Sequence, residues 1–176
     1  GPMGLYSSDA DSLRLHAAGH EIACHTFSHL DCGKADGATI AADVAKNEAA
    51  LITAGLPSPS TFAYPYGDVS PAAKKALGGR YDLLRALHHG VVETGTDLNQ
   101  TPAVGIEGSD GEAIGARWLE EAARRKAWLI LFTHDVQDTP SPFGCTPAVL
   151  ERLAQKAQAL GFEVVTVAEG ARRIDA

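Results

Sequence analysis

His25 and His29 stand four residues apart in the segment His25-Thr26-Phe27-Ser28-His29. Imidazole nitrogen suits zinc and similar divalent ions, and two histidines at this spacing face one ion if the segment makes a helical turn. The same spacing also fits a pair of surface or helix-capping histidines, because the chain holds seven histidines and one such pair can arise by chance. A second group is Phe62-Ala63-Tyr64-Pro65-Tyr66-Gly67-Asp68, in which aromatic rings surround a Pro-Tyr-Gly turn. Apolar sugar faces stack on such rings, and turn amides point at anions or polarised oxygens. An ordinary turn with core aromatics has the same composition. The third group is Thr133-His134-Asp135, directly after the apolar run 128–132. A histidine at the mouth of a buried strand, with a carboxylate beside it, suits a general acid. The alternative is a solvent-facing histidine next to a capping Asp.

Groups so far apart in sequence need elements that bring them together. Residues 9–18 read as a helix, with Leu13 and Ala17 on one face and Gly19 as its stop. Residues 21–26 read as a strand running into a loop. The clearest helix is 39–54, with Ile40, Val44, Leu51 and Ile52 on one face and Gly55 at its end. Residues 60–66 form an apolar run, and Ser70-Pro71 supplies the N-cap and first position of a short helix. Residues 81–88 read as a weak strand, 90–100 as loop, 102–106 as a short strand and 112–126 as a helix. The strongest strand is 128–132. A loop over 138–146, a helix over 147–160, a last strand over 162–167 and a short closing helix complete the chain. Five or six strands alternating with helices indicate an α/β domain with a parallel sheet or barrel, whose chemistry collects at the C-terminal ends of the strands. The three groups fall at such ends.

A chain of 176 residues is one domain of ordinary size. At that length a core buries roughly 70% of the unfolded surface, so no disulfide or structural metal is required. The formal net charge of -7, with no stretch rich in Lys or Arg, argues against nucleic acid as a partner and leaves neutral sugars and small molecules. Cys24, Cys32 and Cys145 are too few and odd in number for a disulfide framework and read as small buried hydrophobes. No apolar run is long enough to span a bilayer, and no secretory signal is visible. A cytoplasmic location is favoured on that ground. Gly1-Pro2-Met3 reads either as a protease scar before a start Met or as native sequence.

Taken together and in this order, the three groups resemble the polysaccharide deacetylase family, carbohydrate esterase family four. His25-Thr26-Phe27-Ser28-His29 is similar to the family's His-Ser/Thr-x-x-His metal motif. The segment Phe62-Ala63-Tyr64-Pro65-Tyr66-Gly67 is similar to its groove motif, and residues 129–135 to its late hydrophobic strand ending in His. Ala18-Gly19-His20-Glu21-Ile22 and the closing segment 161–167 match as well. The resemblance implies an incomplete or distorted (β/α) barrel over the whole chain. It implies hydrolysis of acetyl groups from N-acetylated sugars, or from a related amide or ester, with a divalent metal, zinc by expectation, on His25 and His29. His134 would protonate the leaving amine, and the backbone N–H of Tyr66 would stabilise the oxyanion. Tyr64 and Pro65 would meet substrate. Arg85 is the nearest candidate to replace an Arg that the family carries close to the position of Ala63.

The family's first motif, a strand ending in Thr-Phe-Asp-Asp, occurs nowhere in this chain. It normally supplies the catalytic base and a third metal ligand. Asp31 is the nearest local carboxylate but reads as a turn residue, and Asp135 reads as orienting His134 or capping a loop. Weak metal binding and poor hydrolysis by this chain follow as expectations, with a fragment of an active enzyme as one explanation. A non-catalytic relative that binds carbohydrate or protein is the alternative. The absent strand also implies an open sheet edge, filled by a second copy, a separate fragment or rearranged residues 1–8.

Overall fold

Ser8 opens α1 (Asp9–Ala17) through a reciprocal capping box with Asp11. The computed structural model describes residues 8–174. Gly1-Pro2-Met3, and all but Ser8 of the stretch expected to rearrange against the sheet edge, lie outside the described residues. Asp36 caps α2 (Gly37–Thr53) by accepting the amide of Thr39, and Ile40 and Val44 anchor that helix in the core. The expected apolar face of α2 is narrower than its sequence, since Ile52 is 54% exposed. Ser70 and Pro71 start α3 (Pro71–Leu77) in the roles their types suggest, the Ser hydroxyl accepting from the amide of Ala73. Then follow α4 (Gly111–Arg125), α5 (Pro147–Ala159), capped by Thr146, and α6 (Val167–Ile174).

The strands are short: β1 (Thr61–Ala63), β2 (Leu83–Arg85), β3 (Val104–Gly105) and β4 (Leu131–Phe132). β1 pairs with β2 and β3 with β4, both in parallel. A single parallel bridge from Cys24 to Phe62 sets Cys24 beside β1, and another from Arg85 to Thr101 joins β2 to the segment leading into β3. Neighbours in space therefore follow chain order, from Cys24 through β1, β2 and the segment of β3 to β4. Successive residues of β2 bury on opposite faces. Leu84 packs with Phe62, Tyr64, Ile40 and Leu77 under α2 and α3, whereas Leu83 packs with Val92, Ala103, Ile130 and Ala171. The domain is α/β, and no sheet closes among the described residues.

The expected strands are all shorter than their sequences suggest, β2 and β3 included, and three segments depart most. The segment 21–26 contributes one bridge, at Cys24. The run 128–132 contributes only β4 and an antiparallel bridge from Trp128 to Val92. The segment 162–167 forms no strand: α6 begins at Val167, and Val164 is 83% exposed. A strand needs a laddered neighbour as well as an apolar pattern. Between 19–23 and 164–167 lies a hollow of about 500 Å³. Glu21 bridges this region: Thr61 donates its hydroxyl to one carboxylate oxygen, and the amide of Ala168 donates to the other at 2.9 Å. A carboxylate at the first turn of a helix is favourable for its free amides, so α6 is tied to the start of the array. No described helix is long and apolar enough to cross a membrane. Cys24, Cys32 and Cys145 are free and buried, as their count suggests.

Gly67 ends the turn after β1 with φ 69, and a Cβ there would lie within 2.5 Å of Leu87 Cβ. Gly79 has a similar φ of 76 with nothing within 4 Å. Gly67→Ala combines left-handed strain with overpacking, whereas Gly79→Ala carries strain alone. Chemical denaturation is expected to show Gly67→Ala destabilised by about 2–4 kcal/mol and Gly79→Ala by about 1 kcal/mol. Equal losses would show that Leu87 moves aside.

Candidate functional site

The two histidines of the first group converge. The rings of His25 and His29 lie 4.9 Å apart between centroids, edge to face. The segment is not the helical turn that the spacing suggested. It is a bend in which Thr26 (φ 63) and His29 (φ 56) both take the left-handed conformation. Such a conformation costs a residue with a Cβ roughly 1–2 kcal/mol. Local hydrogen bonds offset that cost. Thr26 Oγ1 accepts from the amide of Leu30 at 2.9 Å. Asp43, on α2, accepts from the amides of Phe27 and Ser28 and from the Ser28 hydroxyl.

His25 Nδ1 lies 2.7 Å from the carbonyl oxygen of Ala63, at the end of β1. A carbonyl only accepts, so Nδ1 carries the proton and Nε2 keeps its lone pair. Loss of water around the ring lowers the pKa of His25. The bond to Ala63 opposes that shift, and the charges of His29, Arg85 and His134 reinforce it. The neutral imidazole needed by a metal is therefore the favoured form. Contacts run from this bend toward His134: Ala63 is in register with Arg85, Arg85 lies over Phe132, and Phe132 flanks His134.

Arg85, at the end of β2, stands in register with Ala63. Its guanidinium lies 5.0 Å from the centre of the Phe132 ring. Burial lowers its pKa, and the charge of Glu107 opposes the shift. His134 follows β4 and is exposed. Its Nδ1 lies 2.5 Å from Glu107 Oε1. With Glu107 ionised, Nδ1 is the donor, which leaves Nε2 available for chemistry. The rings of Phe132 and Phe143 flank His134, and Phe143 is 61% exposed.

Tyr66 is also 61% exposed, with its ring 4.6 Å from that of His29. A hollow of about 290 Å³ lies beside this pair, lined by His29, Asp31, Lys34, Tyr66 and Asp68. Tyr64 and Pro65 correct the sequence reading. Both are buried, and Tyr64 donates its hydroxyl to the carbonyl of Asn99 at 3.1 Å. Its ring packs edge-on against Phe62, so it fills the core and offers no face to a ligand. Asp31 caps its own turn, accepting from the Gly33 amide and pairing with Lys34. Asp135 caps the loop after β4 through Ser141 and Gln137. The carboxylate on His134 is that of Glu107, which sequence reasoning missed. Its signal was present: Glu107 follows the buried run ending at Ile106, as His134 follows Phe132.

The donor set fits part of a divalent metal site. Two imidazoles meet, and one has its tautomer fixed by a backbone carbonyl. No group of three or more His, Cys, Asp or Glu side chains gathers at ligand spacing among the described residues.

A sequence model of the polysaccharide deacetylase family matches residues 7–79. A curated relative, a probable peptidoglycan-N-acetylglucosamine deacetylase from Arthroderma benhamiae, is 26% identical over 160 residues. That alignment covers 89% of this chain and 32% of the relative, so the chain spans about a third of the relative's length. The family match takes in the His25–His29 bend, α2 that braces it and the turn bearing Tyr66, while the fungal protein's similarity runs on through most of the chain. The chain is thus similar to the polysaccharide deacetylase family over residues 7–79, and to one deacetylase relative over most of its length.

Proposed function

We propose that this chain carries a hydrolase site for removing acetyl groups from N-acetylated sugars, built on an incomplete (β/α) barrel. The observation that carries the reading is the pairing of two imidazoles, His25 with its tautomer fixed by Ala63, joined through Arg85 and Phe132 to the His134–Glu107 pair. His25 and His29 would hold a divalent ion, for which zinc suits two imidazoles, and such an ion when bound supplies polarisation of an acetyl carbonyl and of a water. His134 would give a proton from Nε2 to the departing amine nitrogen, which is a poor leaving group uncharged. Glu107 would hold the ring in the required tautomer and stabilise the imidazolium between uptake and release of that proton. The turn amide of Tyr66 would donate to the oxyanion, where charge develops only in the transition state. The exposed rings of Tyr66 and Phe143 stand beside His29 and His134 and suit the apolar faces of a sugar. Arg85 would contribute charge from the floor of the region.

Two imidazoles are fewer protein ligands than catalytic zinc usually takes. We therefore infer that the 176-residue chain alone binds the ion weakly and hydrolyses slowly, its base and third ligand coming from elsewhere. That only two imidazoles meet among the described residues also suits a second reading, a non-catalytic relative that holds an acetylated carbohydrate or a protein. The slight pairing of the 21–26 segment, a single bridge at Cys24, leaves self-association of two copies as a further proposal.

Zinc titration by calorimetry is expected to show binding by the chain that His25→Ala abolishes and His134→Ala leaves intact. Undiminished binding by His25→Ala would remove the metal reading. With an acetylated chito-oligosaccharide, His134→Ala is expected to lower turnover by about 10²–10⁴-fold without unfolding the protein. Wild-type turnover in that variant would reassign the acid. Specific uptake of the sugar with no acetate released, even at saturating zinc, would favour the binding relative.

A further inference from the structure

Asp43 lies on the second turn of α2, remote in sequence from every residue assigned above to the chemistry. One of its oxygens accepts from the amides of Phe27 at 2.7 Å and Ser28 at 3.0 Å, and the other accepts from the Ser28 hydroxyl at 2.8 Å. Its neighbour Val44 and the preceding Ile40 are fully buried, so the carboxylate projects from a fixed element. Partial burial works against ionisation, but the Ser28 amide and hydroxyl and the Phe27 amide outweigh it and hold the carboxyl below its ordinary pKa. The bend between the two histidines contains left-handed Thr26 and ends in left-handed His29. His25 is tied to β1 through Ala63, whereas the middle of the bend is tied to α2 through Asp43.

We infer that Asp43 is the positioning residue for the His25–His29 pair, an inference that rests on the metal reading proposed above. It acts through the backbone of Phe27 and Ser28 and touches neither the ion nor the substrate. The geometry requires a short side chain with two polar ends at a fixed reach. Asn meets it: its carbonyl oxygen takes both amides, and its NH₂ donates to the Ser28 oxygen. Glu keeps the charge but carries the oxygens about 1.5 Å further out, the length of one carbon–carbon bond. Ala removes every bond while suiting the helix.

Three variants of the full chain test this: Asp43→Ala, Asp43→Asn and Asp43→Glu. In the metal-free protein, amide hydrogen exchange at Phe27 and Ser28 and the ring-to-ring NOE between His25 and His29 report the bend. Titration with Co²⁺, followed by visible absorption, reports the pair as ligands. Asp43→Ala is expected to speed exchange at both amides at least about tenfold, to lose the NOE, and to weaken Co²⁺ binding by about 10–100-fold. Asp43→Asn is expected to retain all three properties, and Asp43→Glu to lose affinity despite its charge. Should Asp43→Ala fail to fold, the contrast between Asn and Glu decides the matter. The inference is overturned if Asp43→Ala keeps wild-type exchange at both amides or wild-type affinity, or if Glu retains affinity while Asn loses it, since charge rather than position would then be acting. Failure of the wild type to take up Co²⁺ would sink the metal reading, and the metal-free measurements would still decide what sets the bend.

Discussion

One hydrogen bond, from His25 Nδ1 to the carbonyl of Ala63, joins the histidine-bearing bend to the sheet. It does two jobs. It selects the tautomer that leaves the Nε2 lone pair free, and it fixes the ring against the end of β1. Ala63 is itself placed by the ladder, because β1 is hydrogen-bonded between Cys24 and β2. The imidazole is thus only as well positioned as a three-residue strand, and that strand is held by the buried side chains of Phe62, Leu84 and Tyr64 below it. Burial of such side chains is worth about 1.5–3 kcal/mol each, against which the single bond to Ala63 adds about 1 kcal/mol. Packing supplies the stability, and the polar contact supplies the orientation.

Charge in the region is arranged by the same ladder. Register sets Arg85 beside Ala63, and the guanidinium sits against Phe132, where loss of water disfavours its charge. Glu107 offsets that penalty and also meets His134. One carboxylate therefore acts on the charge of a half-buried guanidinium and bonds an exposed imidazole. Its position at the end of the β3 segment, next to β4, follows from the parallel pairing of Val104 with Leu131 and Gly105 with Phe132.

Much of the helical frame was legible. Ser70-Pro71 carries its N-terminal signal in two residues, and α2 announces itself through Ile40 and Val44 at helical spacing. The three strand-end groups were legible as residue types at element boundaries. The geometry within them was not. A spacing of four residues between His25 and His29 suggested a helical turn, yet the bend uses left-handed backbone at Thr26 and His29, stabilised by Asp43 from another element. Tyr64 reads equally well as groove or core, because its hydroxyl partner, the carbonyl of Asn99, lies 35 residues away. Glu107 and His134 are 27 residues apart, and only the pairing of their strands joins them. Segments 21–26 and 162–167 have the apolar composition of strands, but a ladder depends on a neighbour that composition does not reveal.

The link from Glu21 to Ala168 spans 147 residues, far more than the steps between successive strands. Those steps join segments that follow one another along the chain, so the array can grow outward from β1 and β2 by small loop closures. The Glu21 link is of another kind. It brings together the two ends of the described chain, and the entropy of closing so large a loop is recovered only once the intervening elements are in place. Its loop closure is the longest among these links. The docking of α6 reports whether the whole array has formed, much as a clasp reports that a necklace is complete.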